Sequence, residues 1–270
     1  MTVNDDQITV LLNDLLELYG YDFTDYAMAS LKRRINRLYA LDKFTDFNAL
    51  RIKVASDENY IKRFIEEITV NVTEMFRDST FYRDLRENVL PALGTHPFIR
   101  IWLAGCSTGE EAYSIAIILE EAGLLNKSLI YATDINPSVL EKARVGIFPL
   151  SHMKQYSENY IASGGLRDFS SYYTANYDGA KFSEALGQRM VFSTHNLVSD
   201  SSFNEFHLIL CRNVLIYFDK DLQEKVFRLF DNSLGNLGYL ALGSKETLKF
   251  SEIIHRYKQP GKEKIWRKVK

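Results

Sequence analysis

Apolar residues recur along the chain at two different spacings, and the change between them divides it in two. Up to about residue 93 the spacing is that of α-helices, with apolar positions three or four residues apart. Four helices are predicted here. The first ends at Gly20, and the second extends from about Asp25 to Leu41. Thr45 or Asp46 caps the third, and Asp57 caps the fourth. No strand pattern precedes Ile99, so this part predicts a small all-helical domain.

After Ile99, short apolar runs alternate with helical patterns, as strands alternate with crossover helices. The predicted strands are Ile99–Ala104, Ser128–Asp134, Met190–Asn196, Phe206–Cys211 and Gly238–Ser244. One helix is predicted to begin at Asn136-Pro137 and end at Gly146, and another to begin at Asp219 and end at Gly235. A Pro260-Gly261 turn predicts a terminal antiparallel hairpin. The predicted fold class is α/β, with a doubly wound, mostly parallel sheet.

Residues 148–188 interrupt this alternation. They are rich in Tyr, Ser, Gly and Phe, too numerous for a plain connection and too aromatic for a disordered linker. We therefore expect an inserted small β subdomain. The predicted division of the chain is a helical domain with its linker at 1–88 and a second domain at 89–270, which carries the insertion.

Composition narrows the classes of function. The 270 residues are 46% hydrophobic, which suits packed cores, and the formal net charge of −2 gives no overall attraction to nucleic acid or a membrane surface. No apolar run approaches the roughly 20 residues of a membrane helix, and the acidic start differs from a signal peptide. Cys106 and Cys211 lack metal-site spacing and suit a reducing compartment. We expect a cytoplasmic monomer without bound metal, nucleic acid or an inserted membrane segment.

One stretch departs from this charge balance. Between Thr24 and Lys53 there are seven basic and three acidic residues. Arg33 and Arg34 each lie three or four residues before Arg37 on the predicted second helix, so each shares a helix surface with it. The stretch is either a solvated helix face or a docking surface for an acidic partner.

The main candidate for chemistry is the turn after the strand Ile99–Ala104. Its sequence, GCSTG from residue 105 to 109, is followed by Glu110 and Glu111. A strand, glycine turn and helix present backbone N–H groups to a ligand. Two carboxylates repel a dinucleotide pyrophosphate but suit a cationic ligand such as S-adenosylmethionine. Asp134, which ends the next strand, is where an acid holds ribose hydroxyls.

Two other interpretations of this turn remain open. GCSTG also matches the nucleophile elbow of serine hydrolases, and an acid (Asp134 or Asp200) and a histidine (His207 or His255) follow in the required order. The helical residues before it and the absence of an HGGG motif disfavour that interpretation. Alternatively, the turn serves only to pack strand against helix, and the glutamates favour the helix dipole.

Several longer segments carry a family resemblance. They are NVTEMFRD (71–78), AGCSTGEEAYSIAI (104–117), ATDINPSVLEKARVGIF (132–148), CRNVLIYFDKDLQEKVF (211–227) and GYLALGSKETL (238–248). Together they resemble the CheR-type chemoreceptor methyltransferases, which transfer a methyl group from S-adenosylmethionine to receptor glutamates. The chain departs from the family pattern at Met75, Ala112 and residues 243–246.

The resemblance implies a Rossmann-like methyltransferase fold, S-adenosylmethionine as cofactor and S-adenosylhomocysteine as its product. The cofactor-binding residues it implies are Asn71, Thr73, Arg77, Glu111, Asp134, Asn196, Leu197, Arg212 and Asn213. Asp134 is expected at the ribose, with Asn196 and Leu197 beside the adenine. Arg77 and Tyr217 are the implied catalytic residues, with Tyr217 next to the transferred methyl group.

The implied partner is the cytoplasmic helical domain of a chemoreceptor, and our hypothesis is that Arg33, Arg34 and Arg37 dock its acidic helices. The alternative function is a non-catalytic signalling module that binds S-adenosylmethionine or S-adenosylhomocysteine. Structural roles are also open for single residues: an ion pair of Arg77 with a nearby aspartate, a core position for Tyr217, and turns at Asn196 and Asn213.

Overall fold

The computed structural model describes residues 2–69 and 72–270, and the helical part comes first along the chain. Its helices are α1 (Asp5–Tyr19), α2 (Met28–Leu41), α3 (Phe47–Ser56) and α4 (Glu58–Ile68). A continuous helical segment follows as α5 (Ser79–Asp84), a π-helical turn (Leu85–Val89) and α6 (Leu90–Leu93). The first four helices enclose their own apolar core, whereas the later segment packs into the core beside the large sheet.

Side-chain caps explain where three of the first four helices begin. Asn4 and Gln7 form a reciprocal capping box on α1. Asp46 and Asp57 accept backbone N–H groups at the starts of α3 and α4. The predicted start of α2 at Asp25 is wrong, because the residues before Met28 are held in a bridge to another part of the chain: Ala27 N–H donates to the Tyr217 carbonyl at 2.8 Å.

The rest of the chain alternates strands and helices. In order, these are β1 (Ile99–Ala104), α7 (Glu110–Glu121), β2 (Ser128–Asp134), α8 (Pro137–Val145), β3 (Ile147–Pro149), α9 (Met153–Ala162), β4 (Tyr173–Asn176), β5 (Gly179–Phe182), α10 (Glu184–Gly187), β6 (Met190–Thr194), β7 (Phe206–Cys211), α11 (Lys220–Ser233), β8 (Leu234–Leu242), β9 (Tyr257–Lys258) and β10 (Ile265–Lys268).

Seven strands form one sheet in the order β6-β2-β1-β7-β8-β10-β9. The pairs from β6 to β8 are parallel, and β10 and β9 close the sheet as the expected antiparallel hairpin. The chain adds strands on one side of β1 and then turns back to add β7 and β8 on the other. This reversal places a topological switch point between β1 and β7, where doubly wound sheets bind ligands at the carboxyl ends of their strands.

Both faces of the central strands are covered, which explains their continuous apolar runs. One face packs against α7 and the inserted segment, and the other packs against α11, with Trp102 fully buried among four rings. The polar Trp102 indole is satisfied because its N–H donates to Thr133 at 2.8 Å.

Two strand boundaries differ from the sequence prediction. β8 begins at Leu234, so the predicted helix end at Gly235 and strand start at Gly238 are wrong. The first residues of β8 are irregular, and the pairing register with β7 shifts between Phe206 and Leu208. β6 ends at Thr194, because Asn196 forms a turn in which its side chain accepts the Val198 N–H at 2.9 Å.

The inserted segment is the small β subdomain that its composition predicts. Its three antiparallel strands have the order β3-β5-β4 and pack through Phe148 and Phe182 onto Tyr113 of α7. The subdomain also reaches back to the start of the α5 segment, where the Phe76 ring lies edge-on to Tyr160. Among the described residues, no helix has both the length and the apolar character needed to span a membrane.

Candidate functional site

An open cavity of about 1080 Å³, including its solvent-filled mouth, lies at the carboxyl ends of β1, β2 and β7. This is the switch point of the sheet, where doubly wound sheets bind their ligands. The predicted site residues in its wall are Thr73, Arg77, Glu111, Asp134, Asn196, Leu197, Arg212, Asn213 and Tyr217. Asn71, which sequence reasoning also placed here, lies outside the described residues.

The glycine turn forms the floor of the cavity, and two of its glycines have no room for a side chain. Gly105 has a φ of +82°, and a Cβ there would lie 2.4 Å from Val214 Cγ2. Gly109 has a φ of +97°, and a Cβ there would lie 2.8 Å from the Ala143 Cβ. The left-handed conformation and these close approaches together require glycine at both positions.

Asp134 fixes the turn to the end of β2. Its Oδ2 accepts the Ser107 N–H at 2.9 Å, and its Oδ1 accepts the Asn136 N–H at 3.0 Å. Burial raises the pKa of the Asp134 carboxyl, and the backbone N–H groups partly offset that rise. Each oxygen keeps a second lone pair, so the carboxylate can still accept hydroxyl groups from a ligand in the cavity.

Glu111 is held by Arg212, which follows β7. Arg212 Nη1 donates to Glu111 Oε1 at 2.7 Å, and Nη2 donates to Asp78 Oδ2 at 2.9 Å and to the Arg77 carbonyl at 3.0 Å. The guanidinium also stacks over the Phe81 ring, 4.0 Å from its centroid. Burial opposes the charge of Arg212, but Glu111 and Asp78 outweigh it and raise its pKa. Arg212 lines the cavity with its charge already paired.

The two glutamates of the turn point in different directions. Glu111 lines the cavity, whereas Glu110 is buried on the other side of α7, where its carboxylate accepts the Thr108 hydroxyl at 2.6 Å. Tyr156 from the inserted subdomain lies 3.5 Å from the other oxygen of Glu110. Burial raises the pKa of Glu110. Only Glu111 is therefore available to a ligand in the cavity.

Glu246 is a buried acid that the sequence interpretation missed. Its Oε2 accepts the Asn213 N–H at 3.0 Å and the Gly243 N–H at 2.6 Å. Burial raises its pKa, against the effect of these and neighbouring backbone N–H groups. Glu246 thereby holds the loop of residues 213–218, in which Asn213 has a φ of +63°. The sequence gives no signal for this role, since among the described residues the acid binds backbone N–H groups and no other side chain.

The start of α2 also lines the cavity, through Tyr26, Ala27, Ser30 and Leu31. Sequence reasoning missed these residues because the spacing of a helix does not indicate which distant loop it meets. The Tyr26 ring lies edge-on to Phe218 at a centroid distance of 4.8 Å. We call the wall with Glu111, Asp134 and Arg212 the sheet side, and the wall with Tyr26–Leu31, Thr73 and Arg77 the helical side.

Tyr217 lies where the two sides meet. Burial raises the pKa of its phenol, and the nearby guanidinium groups of Arg34 and Arg77 partly offset that rise. Arg77 is half-buried, and its Nη1 donates to the Val72 carbonyl at 3.4 Å. Of the three predicted docking arginines, none lines the cavity: Arg33 and Arg37 are exposed on α2, and Arg34 lies over the Tyr217 ring at its rim.

The remaining predicted residues form a turn at the end of β6. Asn196 is buried and uses its side-chain oxygen within that turn, while its Nδ2 has no hydrogen-bond partner among the described residues. Leu197 and Ile135 add apolar surface to the same part of the wall. An apolar surface with an unpaired amide donor suits a flat, nitrogen-containing ring such as adenine.

The hydrolase interpretation lacks its catalytic geometry. The Ser107 hydroxyl is buried and has no hydrogen-bond partner within the described ranges 2–69 and 72–270. Neither His207 nor His255 lines the cavity, and His207 instead accepts the Arg100 N–H at the opposite end of β1. In the same ranges no group of three His, Cys, Asp or Glu side chains is placed to hold a metal ion.

The donor set of the cavity fits a cationic adenosine compound. Asp134 offers oxygens at the end of β2, the turn at Asn196 offers a ring-binding surface, and Glu111 Oε2 has no partner among the described residues. S-adenosylmethionine carries ribose hydroxyls, an adenine and two positive charges, which match these three features.

Two family models cover most of the chain. Residues 71–264 match the model described as CheR methyltransferase, SAM binding domain. Residues 6–69 match the model described as CheR methyltransferase, all-alpha domain.

Individual relatives agree with these models. A Pseudomonas putida protein, named provisionally as the methyltransferase Cher3, is 45% identical over 98% of this chain and 97% of its own length. A Salmonella typhimurium chemotaxis protein methyltransferase is 35% identical over 85% of this chain and 78% of its own length. Among solved structures, the N-methyltransferase NodS of Bradyrhizobium japonicum, in complex with S-adenosylhomocysteine, is a distant likeness: 13% identity, a TM-score of 0.35, and coverage of 72% of this chain and 70% of that one.

Proposed function

Because this chain belongs to the CheR methyltransferase family, we propose that it transfers methyl groups from S-adenosylmethionine to glutamate side chains of chemoreceptors. The products are glutamate methyl esters and S-adenosylhomocysteine. The names of relatives such as the Salmonella typhimurium protein support a role in chemotaxis. Such an acceptor also implies that the chain acts in the cytoplasm, where the helical domain of a receptor lies.

The observation that carries this proposal is the charge difference across the cavity. Glu111 and Asp134 line the sheet side, where the one cation, Arg212, is already paired, and Glu74 lines the cavity next to Thr73 on the helical side. Around Tyr217, by contrast, the nearest charges are mostly guanidinium groups, those of Arg34, Arg77 and Arg33. A cationic methyl donor on the sheet side and an anionic acceptor beside Tyr217 satisfy both electrostatic preferences. A neutral or cationic acceptor would meet unfavourable charge at the same place.

On the donor side, we propose the roles that the family resemblance implies. Asp134 accepts the ribose hydroxyls, Asn196 and Leu197 contact the adenine, and Glu111 faces the ammonium group. Thr73, Arg212 and Asn213 complete this part of the wall, with Arg212 keeping Glu111 in place. Bound S-adenosylmethionine supplies an electrophilic methyl group on positively charged sulfur.

On the acceptor side, the protein has little chemistry to perform. A glutamate carboxylate is already ionised at neutral pH and needs no general base. Its oxygen forms the new bond to the methyl carbon, the electron pair of the broken bond stays on sulfur, and no proton moves. Arg77 and Tyr217 therefore orient the acceptor and exclude water, so that catalysis is mainly positioning.

The exposed arginines of α2 have a separate role in this proposal. Arg33 and Arg37 are exposed cations on α2, whose first turn lines the cavity, and neither has an ion-pair partner among the described residues. Acidic receptor helices would be attracted to this surface, and the attraction falls as salt increases.

The test is methyl transfer to chemoreceptor-containing membranes of the source organism with radiolabelled S-adenosylmethionine. We expect label on the receptor band and its release by base, as methyl esters require. Calorimetry with both cofactor forms accompanies the assay. Binding of S-adenosylhomocysteine without any base-labile label would instead favour the non-catalytic module.

A further inference from the structure

Arg34 differs from the two arginines that share α2 with it. Arg33 and Arg37 are exposed, whereas Arg34 is half-buried and its guanidinium lies 5.8 Å from the centroid of the Tyr217 ring. Its Nη1 donates to the Thr69 carbonyl at 3.2 Å. The side chain therefore turns inward, across the junction between α2, the end of α4 and the loop of residues 213–218.

Helical spacing places Arg34 at the rim of the cavity. Ser30 and Leu31 line the cavity, and Arg34 follows them by one turn of α2, on the same face. The Arg34 guanidinium is therefore close to any group that binds in the cavity beside Tyr217.

Arg34 forms no ion pair with a carboxylate of the described residues, and Glu67 acts on its charge only from a distance. Within residues 2–69 and 72–270, its one hydrogen bond uses Nη1, its Nε is buried without a partner, and Nη2 donates to no acceptor. Burial is the main effect and lowers the pKa of Arg34; Arg33 and Arg37 lower it further, and Tyr217 and Glu67 offset part of that fall. The surroundings thus penalise a charge that an approaching anion would stabilise.

We propose that Arg34 binds the acceptor carboxylate together with Arg77 and makes the site select a glutamate carboxylate over a neutral glutamine amide. This inference rests on the proposed function and moves Arg34 from the docking surface into the acceptor subsite. Tyr217 supplies the surface on which the guanidinium is held. Arg33 and Arg37 keep the docking role.

Salt separates the two roles. Loss of an exposed docking charge has an effect that disappears at high ionic strength, because solvent ions screen it. Loss of a partly buried charged hydrogen bond persists. We expect Arg34→Ala to lower kcat/KM for receptor methylation about 10- to 100-fold, the range for one hydrogen bond to a charged group. The loss should remain at about 1 M salt, with S-adenosylhomocysteine affinity within about twofold of the parent.

The matched controls are Arg33→Ala, whose loss should fade with salt, and Lys62→Ala, which removes an exposed cation from α4. Arg34→Lys should recover part of the activity because it restores the charge without the planar fork. The inference fails if Arg34→Ala behaves like Lys62→Ala, or if its loss fades with salt as that of Arg33→Ala does.

A binding measurement keeps the inference testable if the parent transfers no methyl group, in which case the proposed function itself is wrong. The probe is N-acetylglutamate α-amide, titrated into the S-adenosylhomocysteine complex and compared with the uncharged N-acetylglutamine α-amide. We expect the parent to prefer the carboxylate probe and Arg34→Ala to lose that preference. A parent without the preference, or a variant that keeps it, overturns the role of Arg34.

Discussion

On the sheet side of the cavity each charged group has several partners, whereas on the helical side the charged groups have few. Arg212 makes three hydrogen bonds and a ring contact, and both Asp134 oxygens accept backbone N–H groups. Among the described residues, by contrast, the Arg77 and Arg34 side chains each donate one hydrogen bond, to a carbonyl, and neither has a carboxylate partner. The charged groups of the sheet side form a closed hydrogen-bond network, whereas the guanidinium groups of the helical side keep N–H donors available for a ligand.

This difference indicates that the two sides of the cavity bind their ligands in different ways. Groups fixed by several partners are already oriented before a ligand arrives, which reduces the cost of binding. Groups with few partners can adapt to the ligand and gain their hydrogen bonds from it. We infer that the sheet side is adapted to one invariant ligand, and that the helical side is adapted to acceptors whose surroundings vary.

The largest expected effect tests the network of the sheet side. Arg212→Met leaves Glu111 and Asp78 without their shared counterion, and breaking a buried ion pair costs about 3–5 kcal/mol. Since the Asp78 side chain is 35% exposed, we expect a value near the lower limit. The measurement is the urea midpoint at constant slope.

The control for that measurement is Arg228→Met, which breaks an exposed pair with Glu252. It should change stability by less than about 1 kcal/mol. Equal losses from the two variants would contradict the closed network.

The next effect tests the helical side. Arg77→Ala removes a side chain with one long hydrogen bond, so stability should change by less than about 0.5 kcal/mol. If Arg77 orients the acceptor, receptor methylation should fall about 10- to 100-fold. A variant that loses stability but keeps its rate would reverse the comparison between the two sides.

A smaller effect concerns docking. The double variant Arg33→Glu, Arg37→Glu should raise the KM for receptor membranes about tenfold at low salt, with kcat unchanged, because it replaces attraction by repulsion. The difference should disappear near 1 M salt. Lys62→Glu on α4, which reverses one charge, is compared with the single variant Arg33→Glu, and an identical rise in KM would remove any specific role of the α2 surface.

The smallest effect concerns Glu110, the buried acid on the far side of α7. Burial raises its pKa, so its contribution to stability is present below the ordinary pKa of a glutamate and is lost as pH rises through the raised value. Glu110→Gln should therefore become progressively more stable than the parent as pH rises above the ordinary pKa of a glutamate. A difference in urea midpoints that does not change with pH would contradict this.

Much of the fold could be predicted because local signals and tertiary structure agree. Gly20 ends α1, Asp57 begins α4, and the β1 turn lies between strand and helix as its glycines require. The failures occur where distant residues decide. Asp25 is not helical because Tyr26 beside it pairs with Phe218. Gly235 is in a strand because Leu234 before it pairs with Phe206 of β7.

Site residues, too, could be predicted where local sequence and topology decide their position, and not where distant packing does. Acids at strand ends, such as Asp134, could be placed at the cavity from topology alone. Arg34 could not, because Arg33, Arg34 and Arg37 look equivalent along the helix and only packing against Tyr217 distinguishes one of them. Glu246 was missed because its function is to hold backbone N–H groups, which no side-chain pattern reveals.

The hydrogen bond from Ala27 N–H to the Tyr217 carbonyl has a consequence for regulation. It joins the first turn of α2 to the loop that closes the cavity, so the two are thermodynamically linked. If a protein that binds α2 shifts this contact, it changes the affinity of the cavity for its ligand, and by reciprocity the occupied cavity changes the affinity for that protein by the same factor. Contact with an acceptor would then control the retention of the methyl donor, and exchange of spent for fresh donor would be fastest between encounters.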